Sequence, residues 1–212
     1  MAVHDVKLER LKDVTMREFS AFGRIIGRDE DTETGAYNLH PVDAKAAVDN
    51  NMIKAYWDLI PFPPSAEERF SMGMLFLRSK EPGKPLDWTE CHRQTYEFFF
   101  PLGGKQLIFV LCPPMKVPDP AKTRAFLVGP DEGVMLDKGT WHYPPFAANG
   151  ITPCLMPRYG KLAPRKGKTT VAYGKSWNTD GPGFIEGELH ALDTLFYGAQ
   201  YSPDEYNIRI IF

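Results

Sequence analysis

Proline and glycine set the first constraint on this chain. There are 19 prolines and 18 glycines among 212 residues, and they cut the apolar residues into short runs. Proline removes a backbone donor and glycine loosens the backbone, so neither belongs inside a long helix. Short apolar runs between such breaks predict many short strands joined by turns. The predicted strands are Val6–Leu11, Met72–Arg78, Leu86–His92, Glu97–Pro101, Gln106–Cys112, Arg124–Val128, Gly133–Leu136, Gly150–Met156, Thr169–Tyr173, Glu186–Leu192 and Asn207–Phe212. A set of this kind suits an all-β, mainly antiparallel barrel or jelly roll, because closure limits exposed sheet edges.

One helix is expected near the N-terminus. Thr15 and Glu18 have capping-box spacing, and Phe19, Phe22 and Ile26 follow at helical intervals, which predicts a short helix near 15–26 packed outside the barrel. The region 29–70 reads as an extra loop segment. Asp29 to Thr34 is polar, and Ile53 to Leu59 fits a strand or a short helix ended by Pro61, Pro63 and Pro64. A second excursion, 157–183, is rich in Pro, Gly and Lys. Residues 1–212 are expected to form one domain carrying these two segments.

Composition excludes several function classes. With 43% hydrophobic residues, 25% charged residues and a formal net charge of -2, the chain reads as globular and lacks the basic footprint of a nucleic-acid binder. Arg165-Lys166-Gly167-Lys168 is the sole basic cluster and reads as a solvated loop. Cys91, Cys112 and Cys154 are odd in number and show no paired spacing, which points to a reducing compartment. The opening MAVHDVKLERL has no apolar signal core, and no run approaches the roughly 20 residues of a membrane span. A cytoplasmic protein with no membrane partner is expected, and a homodimer, since closed twofold pairs are the commonest assembly.

The chemistry concentrates in Thr89-Glu90-Cys91-His92-Arg93-Gln94-Thr95-Tyr96-Glu97. On a strand Glu90 and His92 share one face while Cys91 points away. A turn at 93–96 then returns Glu97 beside His92. Two carboxylates and an imidazole in one interior are costly unless compensated, and a divalent ion compensates them: Mn, Fe, Ni or Zn suits such ligands. Gly139-Thr140-Trp141-His142 supplies a second imidazole, with Gly139 permitting a turn before it. A histidine beside Trp and Tyr is more often a packed or partner-bonded residue, so His142 gains weight only with its companions. His4, His40 and His190 have no such company.

These residues resemble a known family. The Glu-x-His-x4-Glu-x6-Gly spacing from Glu90 to Gly104 resembles the first metal motif of the cupins, with Glu in place of its first His. Gly139 to His142 resembles the core of the second motif, although Asp137 stands where that motif has Pro. More narrowly, the chain resembles ureidoglycolate lyase. That family carries Glu-Arg-His-Pro-x-x-x-Gln-x-Phe-x-Pro, matched here by Glu90, His92, Phe99 and Pro101, with Cys91 for its Arg and Glu97 for its Gln. Its Gly-x-Trp-His-x-Pro element is matched by Gly139, Trp141, His142 and Pro144, and its N-terminus by residues 8 to 26.

The resemblance implies a cupin-type barrel and cleavage of a C–N bond in ureidoglycolate or a related small hydroxy acid derivative, releasing urea and glyoxylate. It implies His92, Glu97 and His142 as metal ligands, with Glu90 as a fourth ligand or as the acid/base. Glu90, His92 and His142 are then the catalytic set. An anionic carboxylate substrate would want a cation, and Arg78, Arg93, Lys105 and Lys138 lie near the motifs. Arg78 is favoured because it closes the Met72–Leu77 run. Trp141 and Tyr143 join it as candidate substrate contacts, although barrel core is the plainer reading of both, as of Phe98, Phe99 and Phe100. Another metal-dependent cupin enzyme, an isomerase or oxygenase, or a non-catalytic small-acid-binding cupin would use the same residues.

Overall fold

The structure, a computed structural model, describes residues 3–26, 48–49, 52, 54–55, 66–81, 83–161, 184–191, 194–201 and 206–212. In chain order the elements are β1 (His4–Arg10), α1 (Met16–Phe19), β2 (Gly23–Ile26), β3 (Val48–Asp49), β4 (Lys54–Ala55), β5 (Arg69–Arg78), β6 (Thr89–His92), β7 (Thr95–Pro101), β8 (Leu107–Cys112), β9 (Arg124–Val128), β10 (Gly133–Leu136), β11 (Trp141–Ala147), β12 (Ile151–Gly160), β13 (Phe184–Ala191), β14 (Thr194–Tyr201) and β15 (Ile208–Ile211). The all-β, mainly antiparallel expectation therefore holds. The expected strand at 169–173, and most of the 29–70 and 157–183 segments, lie outside the described residues.

Among the described residues the strands form two main sheets. One runs β13-β14-β6-β11-β8-β9-β1-β15, the other β2-β10-β7-β12-β5, and β3 and β4 pair separately. Pairing is antiparallel except around β1, which runs parallel to both β9 and β15. The reason for the sandwich is visible in β8. All six of its residues are buried. Leu107, Phe109 and Leu111 point to a core shared with Phe99 of β7, Phe126 and Val128 of β9, Val134 and Leu136 of β10 and Cys154 of β12. Val110 points the other way, into a second cluster with Val6, Ala125 and Ile208. A continuous apolar strand is a strand covered on both faces.

The N-terminal segment differs from its expectation. The capping box forms, with Glu18 N donating to Thr15 Oγ1 at 3.2 Å and Thr15 N donating to Glu18 Oε2 at 2.8 Å. The helix nevertheless ends after one turn, and 23–26 is a strand paired with β10. Nor does the segment lie outside the barrel: Phe19, Phe22 and Ile25 are buried in the main core, and the Phe19 and Phe22 rings sit 5.2 and 5.4 Å from that of Phe126. Sheet pairing and aromatic packing outweigh a few tenths of a kcal/mol of helix propensity per residue. Ile26, at a helical interval from Phe22, instead alternates to the opposite face and packs with Phe98, Met135 and Tyr159.

Glycine matters most where two backbones close on each other. Gly160 ends β12 at φ 148°, and a Cβ there would lie 2.1 Å from the Gln94 carbonyl oxygen and 2.6 Å from Thr95 Cα. That contact seats the start of β7. Gly160→Ala is expected to cost about 2–4 kcal/mol, read as a lowered urea midpoint with an unchanged denaturant slope. A variant as stable as the parent would show that β7 tolerates displacement there.

Candidate metal and catalytic site

Glu90 and His92 lie on β6, Glu97 on β7 and His142 on β11. β6 and β11 are neighbours in the larger sheet, with His142 opposite Glu90. The reversal after His92 does more than return the chain alongside itself. It carries the backbone from the larger sheet into the smaller one, where β7 lies between β10 and β12. Glu97 therefore reaches the histidines from the facing sheet, across the interior. Gly139 adopts φ 88° and its N–H donates to the His92 carbonyl at 2.7 Å, which ties the turn before β11 to the end of β6.

The four side chains converge. Glu97 Oε2 is 3.4 Å from His92 Nε2 and 3.3 Å from His142 Nε2, and Glu90 Oε1 is 4.0 Å from His142 Nε2. The two imidazole rings stack at 5.2 Å with an 18° interplanar angle. All four residues are under 9% exposed. The donor atoms of Glu90, His92 and His142 fall within 4.8 Å of one another. His142 Nδ1 lies 3.0 Å from the Thr140 carbonyl oxygen, so that nitrogen carries a proton and Nε2 faces the cluster.

Electrostatics here are strong. Burial depresses the His92 pKa to about 4; Glu97 opposes this, while the charges of His142 and Arg158 reinforce it. Burial would raise the Glu97 carboxyl, but His92, its hydrogen bond to His142, and Arg158 outweigh it and bring it to about 2. For His142 burial pulls the pKa down, but the hydrogen bond and charge of Glu97, then Glu90 and Thr140, raise it above its ordinary value. The cluster thus calls for positive charge beside Glu97. Donors sharing a metal ion at 2.0–2.2 Å lie about 3–4 Å apart, and imidazole Nε2 atoms with carboxylates suit a divalent transition ion. The residues fit such an ion.

The other expected contacts lie elsewhere. Trp141 and Tyr143 fall on the opposite side of β11 from His142, because side chains alternate. Trp141 is fully buried with Cys91, Cys112 and Ala199, and its Nε1 donates to the Met115 carbonyl at 2.9 Å. Tyr143 packs 5.1 Å from Trp88 and accepts from Lys80 Nζ at 3.4 Å. Arg78 is exposed and pairs with Ile151 at one end of β12, whereas Glu97 pairs with Arg158 near the other. Arg93 donates to the carbonyls of Met115 and Lys116, Lys138 pairs with Glu68, and Lys105 is exposed. The sequence reading missed Thr140, whose carbonyl orients His142, and Arg158, whose charge reaches both His92 and Glu97. Arg158 has no local motif; only the β7–β12 register places it.

With this geometry in view, the relatives can be compared. A family model described as ureidoglycolate lyase matches residues 6–154, more than half of the chain. The chain belongs to the ureidoglycolate lyase family. A ureidoglycolate lyase of Azotobacter vinelandii (strain DJ / ATCC BAA-1303) is 24% identical over 143 residues, which is 67% of this chain and 79% of that protein. A ureidoglycolate lyase of Pseudomonas syringae pv. tomato (strain ATCC BAA-871 / DC3000) is 38% identical over 55 residues, 26% of this chain and 32% of that one. The solved structure of RmlC from Streptococcus suis in complex with dTDP-D-xylose overlaps 45% of this chain and 46% of its own, at a TM-score of 0.34 and 6% identity. The family is one of lyases, so the chain is an enzyme of that class. The family match ends at 154, four residues short of Arg158.

The protonation pattern predicts how the metal-free protein responds to acid. The unfolded chain protonates His92 near 6.5 and the folded one near 4, so the unfolded chain binds more protons and stability falls as pH drops through that interval. Glu97 acts in the same direction lower down, from 4.5 toward about 2. His142, with its raised pKa, contributes stability that is complete below 6.5 and is lost as pH rises. Urea midpoints measured after chelation at pH 6.5, 5.5 and 4.5 should decline, and His92→Gln should flatten the decline. A midpoint independent of pH across this range would contradict the assignment.

Proposed function

We propose that this enzyme cleaves the C–N bond of ureidoglycolate, or of a closely related carbinolamide of a small hydroxy acid, to release urea and glyoxylate. The observation that carries this reading is the convergence of Glu90, His92, Glu97 and His142, from three strands in two sheets, on one buried point. Three of the four, Glu90, His92 and His142, match the lyase motifs quoted above, and the fourth stands where the lyase motif carries Gln.

His92, Glu97 and His142 would hold a divalent ion, Ni, Mn, Fe or Zn, through the two Nε2 atoms and the Glu97 carboxylate. When bound, such an ion supplies Lewis acidity for a hydroxyl that loses its proton. Glu97 is a poor base, because its carboxyl lies at about 2. Glu90 is therefore assigned the proton transfer. Its carboxylate takes the hydroxyl proton, the oxygen's electron pair forms the new C=O, and the C–N pair leaves with nitrogen. Glu90 then returns the proton to that nitrogen, so the atoms and charges balance. Thr140 holds His142 in the tautomer that leaves Nε2 facing the cluster.

The test combines metal analysis with urea and glyoxylate release. Glu90→Gln should keep the metal and lower kcat by about 10²- to 10⁴-fold. His92→Ala and Glu97→Ala should lose metal and activity together. Normal turnover by Glu90→Gln would remove it from the mechanism. Absence of urea release by the metal-loaded parent would favour another cupin activity or a binding role.

The assembly and setting are proposals of the same kind. Phe70, Met72, Met74 and Phe76 are exposed along β5, an edge strand of the five-stranded sheet among the described residues. An apolar stripe on an open edge supports a second copy as its cover, hence a homodimer. The double variant Met74→Asp, Phe76→Asp should then run as a monomer in light scattering at micromolar concentration; a parent that is itself monomeric would end the proposal. The three cysteines are free and buried, which supports a cytoplasmic setting, and among the described residues no helix is long and apolar enough to cross a membrane.

A further inference from the structure

Arg158 is the cationic side chain that the mechanism above leaves unused. It sits on β12 directly opposite Glu97 of β7 and opposite Ser71 of β5. Directly opposed residues in a sheet share a face. Arg158 therefore stands on the inward side with Glu97, two and four residues beyond Met156 and Cys154, which pack into the main core. Its positive charge acts on both Glu97 and His92. A close ion pair with Glu97 would be the ordinary outcome for such neighbours. Instead Glu97 spends its carboxylate on the two imidazoles at 3.3 and 3.4 Å. Arg158 Nε is buried and has no hydrogen-bond partner among the described residues.

A buried guanidinium donor without an acceptor is expensive, and the deficit disappears when an anion arrives. Arginine presents a planar fork that fits a carboxylate with two parallel hydrogen bonds. The position also excludes the other cations near the motifs: Arg93 and Lys138 are engaged, Lys105 is exposed, and Arg78 lies toward the far end of β12. We propose that Arg158 is the substrate-binding residue that receives the carboxylate of a small 2-hydroxy acid derivative, holding its hydroxyl-bearing carbon over the Glu90, His92 and His142 cluster. The assignment rests on the lyase reading for the identity of the substrate. The anion site itself is independent of turnover. It also favours a carboxylate over an uncharged amide, whose single carbonyl oxygen can accept from the guanidinium but supplies neither the charge nor the second acceptor that the fork matches.

The test uses two probes that differ in charge but hardly in shape: glycolate, and glycolamide with an amide in place of the carboxylate. Binding to the metal-loaded protein is followed by calorimetry for the parent, Arg158→Gln and Arg158→Lys. The parent should prefer glycolate, Arg158→Gln should lose about 100-fold of glycolate affinity and with it the preference, and Arg158→Lys, which keeps the charge but not the fork, about 10-fold. With ureidoglycolate as substrate, Arg158→Gln should raise KM far more than it lowers kcat. If Arg158→Gln fails to fold, Arg158→Lys carries the comparison. A parent with no preference for glycolate, a preference kept by Arg158→Gln, or Arg158→Lys binding as the parent does would each overturn the proposal. So would a loss confined to melting temperature or metal content, which would mean that Arg158 only balances charge. Should the parent release no urea yet keep an Arg158-dependent preference for glycolate, the lyase reading fails and the anion site stands.

Discussion

Everything at the site depends on the Glu97 carboxylate standing between two imidazoles. It comes from the smaller sheet, and both histidines come from the larger one. The contact is thus an interaction between sheets, made in a place from which water is largely excluded. Transfer of an ionised carboxylate into such a place costs several kcal/mol unless it is paired. The pairing depresses Glu97 and raises His142, whereas burial keeps His92 neutral against the pull of Glu97. Around this polar cluster the interior is filled by apolar side chains.

That filling comes from unexpected places. Phe19, Phe22 and Ile25 enter from the N-terminal segment, and Phe126 joins the two phenylalanine rings. The Thr140 hydroxyl donates to the Phe22 carbonyl at 2.7 Å, and Asp137 N donates to the same oxygen at 3.0 Å. The N-terminal segment therefore packs the core and also anchors the turn that delivers His142. A burial defect at Phe22 would be felt two residues from a candidate ligand. The Phe22 carbonyl is thus one point at which core and chemistry are joined.

Much of the fold was readable because strands are local in what they demand. Arg124–Val128 and Gly133–Leu136 coincide with their predicted bounds, and β5 shows the alternation expected of a strand with one open face. Errors fell where pairing competed with local preference. The helical spacing of Phe19, Phe22 and Ile26 lost to pairing of 23–26 with β10, and the strand at Thr194–Tyr201 escaped notice. The same division runs through the site. Glu90, His92 and His142 sit in short motifs whose spacing speaks for itself. Trp141 and Tyr143 sit in the same motif, yet one-residue alternation sends them to the other face of β11.

The sequence by itself determined the all-β class, the family, and the residue types that gather into an acidic, two-imidazole cluster. The class follows from proline and glycine punctuation, the cluster from side-chain alternation within a few residues, and the family from the resemblance of Glu90 to Pro101 and Gly139 to Pro144 to its motifs. Tertiary structure alone decided that Glu97 faces the histidines across the interior, because a turn of two or three residues can lead to the same sheet or the opposite one. It alone set Arg158 against Glu97 and Arg78 away from it. Register between β7 and β12 is a long-range property: each strand's pattern is satisfied by any slip of two residues, and only the packed pair chooses among them.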